Sequence, residues 1–146
     1  MKIINRRAPY EYQLQDRIEA GISLLGSEVK SIKTGRADLS VSIVRIKDGQ
    51  AYLLNANIPP YQGGVPQDYN PTRTRKLLLN KNELIFLETK AKQQKLTIVP
   101  TKVYTKGQLI KVEIALAKPK RKFEKREIKR RKDVEREIEQ ELKSRG

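Results

Sequence analysis

Apolar and polar positions alternate most regularly from Leu109 to Ala117. There Ile110, Val112, Ile114 and Leu116 fall on one side of an extended chain, with Lys111 and Glu113 on the other. Leu96–Tyr104 reads as its partner strand across Lys106-Gly107-Gln108. A second hairpin is expected between Ser40 and Asn55, where Val44 and Ile46 lead into Asp48-Gly49 and Ala51, Leu53 and Leu54 follow. Tyr12–Leu25 alternates less cleanly, and Gly21 within it marks a bend or bulge. Pro9 argues against a helix in the first dozen residues, which read as an extended arm leading into that strand.

Two stretches change to the helical period. In Ser27–Gly35, Ser27 is placed to cap, Val29 and Ile32 share a face and Gly35 stops the segment. Its exposed face carries Lys30 and Lys33, with Arg36 just beyond. After Asn80, a capping residue with Glu83 three positions on, Leu84, Leu87 and Ala91 line one face of a helix of about three turns. Between Ile58 and Leu77 the chain is rich in Pro and Gly, a long loop ending in Arg73, Arg75 and Lys76 beside Tyr61 and Tyr69. Aromatic rings among cations suit stacking on bases with contact to phosphate. The sum is mainly β: five or six antiparallel strands and two short helices over residues 1–117. A small OB-like barrel, closed so that no strand edge is left open, accommodates such a set.

Residues 118–146 follow a different rule. Phe123, Ile128, Val134, Ile138 and Leu142 fall within an arc of about 140° on a helix, a thin apolar seam in an otherwise charged segment. From Lys118 to Lys132 there are ten Lys/Arg against two Glu, and from Asp133 onward three against five acids. Lys122 with Arg126, Lys125 with Lys129 and Arg126 with Arg130 would repel one another four residues apart. Such a tail is expected to be disordered when free and helical where phosphates neutralise it.

Charge extends this beyond the tail. The net charge is +15, of which +6 belongs to residues 118–146 and +9 to the body. A polyanionic partner is the first inference, with nucleic acid ahead of a membrane or an acidic protein. With no Cys and no His, thiol chemistry, the commonest general base and the commonest metal ligand are absent together. The acidic residues of the body are scattered, Gln62-Gly63-Gly64 lacks a following Lys-Ser/Thr, and no serine has a base in a recognisable motif. These absences point away from an enzyme and from any cofactor or metal. Glu19, a carboxylate amid cations, can accept from a guanine or amino group, or form a surface ion pair. No stretch approaches about 18 apolar residues, so a cytoplasmic protein with no membrane partner is expected.

The blocks NRRAPYEY, EAGISLLGSEVKSIKTGRADL, LLNANIPPY, NPTRTRKLLLNKNEL and ALAKPKRKFEKRE, in order over essentially the whole chain, resemble the bacterial SsrA-binding protein (small protein B) family. The resemblance implies a six-stranded antiparallel OB-like barrel with two or three short helices and a basic tail. It also implies a non-catalytic, monomeric RNA-binding adaptor of ribosome rescue. Such a protein holds the tRNA-like domain of transfer-messenger RNA and meets a stalled ribosome, where the tail enters the vacant mRNA channel of the small subunit. Carried over by position, Asn5, Arg6 and Arg7 of the arm and Glu19 would face RNA, joined by charge by Lys30, Lys33, Arg36, Arg73, Arg75 and Lys76. Ribosome contact would fall to Lys118, Lys120, Arg121, Lys122, Phe123, Glu124, Lys125 and Arg126. Here Pro119 replaces the family's usual glycine, implying a stiffer hinge, and Glu124 replaces aspartate with a longer reach. Phe123 would stack on a ribosomal base. Pro9 and Tyr10 stand where a basic-aromatic pair is usual.

Two other readings fit the residues alone. A structural ribosomal protein would combine an OB-like body with an rRNA-threading tail. A membrane-surface helix would use the tail's apolar arc, although the acidic distal half and the lack of Trp oppose it.

Overall fold

A computed structural model describes residues 1–62 and 67–145, with backbone alone at 122–124, 141 and 143–145. In chain order the elements are β1 (Lys2–Ile4), α1 (Arg7–Glu11), β2 (Tyr12–Ile22), α2 (Gly26–Lys33), β3 (Ile43–Lys47), β4 (Gln50–Leu54), β5 (Arg75–Leu78), α3 (Lys81–Gln94), β6 (Thr97–Lys106), β7 (Leu109–Pro119) and α4 (Lys122–Arg145). The seven strands follow the order β1-β6-β3-β4-β5-β2-β7, all antiparallel, and β6 also pairs with β7. That last pairing closes β2 to β7 into the expected six-stranded ring. β1 is a seventh strand that takes over the edge of β6 at Lys102–Tyr104, beyond the point where β3 meets it at Ile98.

Strands and helices that the apolar pattern marks most clearly lie closest to expectation. Val112, Ile114 and Leu116 of β7 are fully buried in one core with their β6 neighbours Val103 and Ile98 and with Leu53 of β4 and Leu77 of β5. Asp48 and Gly49 both take positive φ, the conformation of a two-residue hairpin turn matched to strand twist. On α3, Asn80 Oδ1 accepts from the Glu83 N–H at 2.8 Å and Glu83 accepts from the Asn80 N–H at 3.1 Å. Leu87 then closes the barrel floor with Leu84 and Ala91 beside it. Gly35, with φ of +80°, ends α2: its N–H reaches Ile32 O at 2.8 Å and the Arg36 N–H reaches Ser31 O at 3.0 Å.

Four local expectations are corrected. The arm is not extended throughout, because α1 forms around Pro9. Proline is tolerated there because the N–H it lacks belongs to the first turn, where no intrahelical acceptor exists. The bulge of β2 lies between Gln15 and Ile18, where Asp16 takes positive φ and pairs with Lys90 of α3. Gly21 keeps register with both neighbours and is small for another reason: a Cβ there would stand 3.1 Å from that of Leu78. α2 starts at Gly26, and its free end is capped by Glu28 accepting from the Leu25 N–H at 2.8 Å, not by Ser27. Finally, β7 continues through Lys118 and Pro119, two residues beyond the strand expected over Leu109–Ala117.

A charged cluster sits inside this apolar frame. The side chains of Glu28 and Arg75 have no exposed surface at all. Arg75 Nε donates to Glu28 Oε2 at 2.7 Å, Nη1 to Ala56 O at 2.8 Å and Nη2 to Pro71 O at 2.9 Å. Arg73 closes over the same carboxylate through Nε at 3.1 Å and through Nη2. The Tyr69 hydroxyl lies 3.0 Å from Glu28 Oε2 and 2.8 Å from Ile58 O. Among the described residues no buried side-chain polar atom lacks a partner. Burial alone would raise the Glu28 carboxyl. Hydrogen bonds from Arg73, the Leu25 N–H and Arg75 outweigh it and hold the group below its ordinary value.

Replacement of Glu28 by Gln keeps the shape and leaves Arg75 buried without its counter-charge. Urea unfolding at neutral pH should show a loss of about 3–5 kcal/mol. Because the folded carboxyl is depressed, its contribution is complete above the unfolded value near 4.5 and is lost as pH falls through the folded one. The Glu28→Gln variant should lack that acid-side slope.

Candidate nucleic-acid interface

The positions expected to meet RNA divide into two sets. Arg6, Arg7, Lys30, Lys33, Arg36 and Lys76 are exposed. Lys30 Nζ lies 5.7 Å from the centre of the Tyr61 ring, and Arg7 bridges to Glu11 one turn on at 3.4 Å. Asn5 and Arg75 are buried and present almost no surface to a partner, which weighs against the RNA contact expected of them. Asn5 is 5% exposed and donates to Leu39 O at 3.1 Å and Pro100 O at 2.8 Å, while its Oδ1 accepts from the Ala8 N–H. Arg73 is half-buried and committed to Glu28. The charge count of the Arg73–Lys76 run therefore overstates what it presents outside: Lys76 is its freely exposed cation.

Glu19 stands on a face that the cation count does not reveal. The register sets Glu19 opposite Glu113 and Tyr104 opposite Lys111 on the outer side of β2, β7 and β6. The Tyr104 hydroxyl donates to Glu19, and Lys106 Nζ reaches it at 3.3 Å. Tyr104 and Lys106 together hold the Glu19 carboxyl below its ordinary value. Burial and the Glu19 charge push the Tyr104 hydroxyl up to about 12, so it remains a donor at every physiological pH. Lys102 Nζ lies 5.4 Å from the centre of the Tyr104 ring and 3.9 Å from Glu113, which Arg17 also reaches at 3.4 Å. Arg17, Lys102, Tyr104, Lys106 and Lys111 were all legible as outward positions of alternating strands. What hid them was their spread over three strands, which gives no local run of charge.

The base of the tail is tied to α1. The Lys120 N–H donates to Glu11 O at 2.9 Å, Lys120 Nζ to Pro9 O at 2.6 Å, and Lys125 Nζ bridges to Glu11 Oε2 at 3.0 Å. That hydrogen bond, with the added charges of Lys125 and Arg7, holds the Glu11 carboxyl low. Lys118, Arg121 and Arg126 are exposed. The side chains of Lys122, Phe123 and Glu124, expected at the ribosome, lie outside the described ones. Beyond them α4 leaves the body with Val134, Ile138 and Leu142 exposed along one seam.

The SmpB protein family model matches residues 2–144. The chain belongs to the SmpB family. SsrA-binding proteins similar to it include that of Sulfurihydrogenibium sp. (strain YO3AOP1), 50% identical over 139 residues covering 95% of this chain and 91% of that protein. That of Enterococcus hirae is 46% identical over 140 residues, covering 96% and 91%. Carboxydothermus hydrogenoformans has one 44% identical over 141 residues, covering 97% and 95%. Among solved structures, a chain described as "tmRNA-SmpB: a journey to the center of the bacterial ribosome" superposes with a TM-score of 0.70 at 42% identity, over 86% of this chain and 92% of that one. The fold is thus shared with a chain whose description names tmRNA and SmpB.

The α1 tie gives a measurable consequence for the tail. With Glu11→Gln, the amides of the first turns of α4 should exchange with solvent faster by up to about fivefold, the scale of one exposed ion pair. The same loosening should occur in the unmodified chain as pH falls through the depressed Glu11 value, since the bridge is present above the ordinary carboxylate value and lost below the folded one. Exchange at α3 amides is the internal reference and should not change.

Proposed function

We infer that this chain is an adaptor of trans-translation: it binds the tRNA-like domain of transfer-messenger RNA and brings it to ribosomes stalled without a codon in the decoding site. The observation that carries this is the SmpB family match over residues 2–144 together with the fold shared with a tmRNA-SmpB chain. The adaptor acts by binding and positioning, as the relatives' description as SsrA-binding proteins supports. It works as a monomer in the cytoplasm, where ribosomes translate; no described helix is long and apolar enough to cross a membrane.

The barrel holds the structured RNA through exposed cations of the arm and of α2, Arg6, Arg7, Lys30, Lys33 and Arg36, with the Glu19–Tyr104–Lys106 face beside them. Glu28 with Arg73 and Arg75 positions α2 and its lysines from below. The tail from Lys118 onward serves the ribosome. Lys120, Arg121, Lys125 and Arg126 meet phosphates, Phe123 stacks on a base, and the helix follows the mRNA path. Phosphate neutralisation removes the like-charge repulsion that a free α4 carries.

Removal of residues 121–146 leaves β7 and its Lys120 tie intact. The truncated chain should bind the tRNA-like RNA with affinity within about threefold of the full chain while losing tagging on stalled ribosomes. Simultaneous loss of both would refute the division of labour. Affinity of the full chain should fall with log salt at about 0.9 per phosphate contacted, and a flat response would remove the phosphate argument.

A further inference from the structure

The outer surface centred on β4 sets Lys76 beside Arg45 and Tyr52, two residues that the adaptor reading leaves unused. Register places Arg45 of β3 opposite Tyr52 of β4, and Tyr52 opposite Lys76 of β5. Directly opposed residues project from the same side of a sheet, so an aromatic ring stands between two cations in a row across three strands. Arg45 and Lys76 are exposed and Tyr52 is half-buried. The inward positions beside this row, Val44, Leu53 and Arg75, are all buried, which fixes its outward direction. Next to it runs an open groove of about 400 Å³ lined by Arg45, Lys47, Asp48, Tyr52, Leu54 and Thr74. The Tyr52 hydroxyl is oriented by Gln50 Oε1 at 2.9 Å, which steadies the ring.

Electrostatics separates this surface from the Glu19 face. There Arg17, Lys102 and Lys106 each lie against a carboxylate. Among the described residues Arg45, Lys47 and Lys76 form no salt bridge, although Asp48 shares the groove. In the ring order, β4 is separated from β7 by two strands in either direction, so the two surfaces are on opposite sides of the barrel. Cations free of carboxylates, set around an aromatic ring and an apolar floor at Leu54, complement a phosphate backbone whose bases are unstacked. A duplex hides its bases and could use only the charges.

We propose that the Arg45–Tyr52–Lys76 row is a stacking platform for a single-stranded RNA segment, on the opposite side of the barrel from the Glu19–Tyr104–Lys106 face. One base stacks on Tyr52, Arg45 and Lys76 contact the flanking phosphates, and the Leu54 groove takes the neighbouring nucleotide. Specificity is for unpaired RNA rather than for sequence, since every base has a stacking face.

Fluorescence anisotropy of the full chain with an unstructured pyrimidine RNA of about twelve nucleotides tests this. Tyr52→Leu, which retains apolar bulk, should weaken binding about tenfold, whereas Tyr52→Phe should stay near the starting affinity. Arg45→Gln and Lys76→Gln should each flatten the salt slope by about 0.7. Lys2→Gln, a matched loss of charge on β1, should leave the effect of Tyr52 untouched. Equal binding by Tyr52→Leu with an unchanged melting temperature, or equal competition by a duplex of the same length, would overturn the platform. The tRNA-like RNA is titrated in parallel. A chain that binds it but not the oligomer refutes the platform alone, and the reverse refutes the adaptor reading alone.

Discussion

A buried carboxylate needs charge and hydrogen bonds around it or it will not stay ionised, and Glu28 is the point on which this molecule satisfies that demand. Desolvation works against it; two guanidinium groups and the Leu25 amide work for it, and the balance favours the charged form. To assemble them, the end of the 59–74 loop must lie over the start of α2, Tyr69 must reach Glu28, and β5 must turn Arg75 inward. One polar cluster therefore ties together a helix, a loop and a strand, in addition to the apolar contacts of Ile32, Ile58 and Leu77. A hydrophobic replacement of similar volume would fill the space but would not dictate where a Pro- and Gly-rich loop ends.

What the residue pattern conveyed well was anything governed by burial on one side. β7 and α3, the Asp48-Gly49 turn and the Gly35 stop are local consequences of period and backbone preference. What it conveyed poorly was anything decided by a distant partner. Arg75 sits in TRTRK like any exposed cation, and nothing within that run says that Glu28, 47 positions earlier, has claimed it. Asn5 looks like part of a polar arm until Pro100 and Leu39 present carbonyls to it. Pro9 was misleading in a different way, because proline's exclusion from helices does not apply to their first turn. In the candidate site, Lys30, Lys33 and Arg36 were legible from α2 alone. The Tyr104–Lys106–Glu19 face needed the strand order before its members became neighbours.

Charge is also distributed unequally by kind. On β2, β7 and β6 the cations are interleaved with acids, which makes a surface of directional donors and acceptors with little net field. Around β4, and on α2, the cations are less compensated, and there the field extends outward. A structured RNA and a flexible one ask for these two things in different proportion: fixed hydrogen bonds for the first, diffuse attraction with ring contact for the second. The tail belongs to a third category, with a strongly basic proximal half and an acidic distal one on a single helix.

The junction at Pro119 gives that helix a mechanical property. Pro119 is still held in the sheet opposite Tyr12, its ring fixes one backbone torsion, and only Lys120 and Arg121 separate it from the 24 residues of α4. At about 1.5 Å per residue the helix is a rod of about 36 Å, pivoted at one end. A swing of about 10° at the pivot carries its tip by about 6 Å, roughly one helical turn. Small changes where α1 grips the base thus become large displacements at the far end. The barrel acts as the fulcrum of a lever, and the Glu11 contact sets its resting angle.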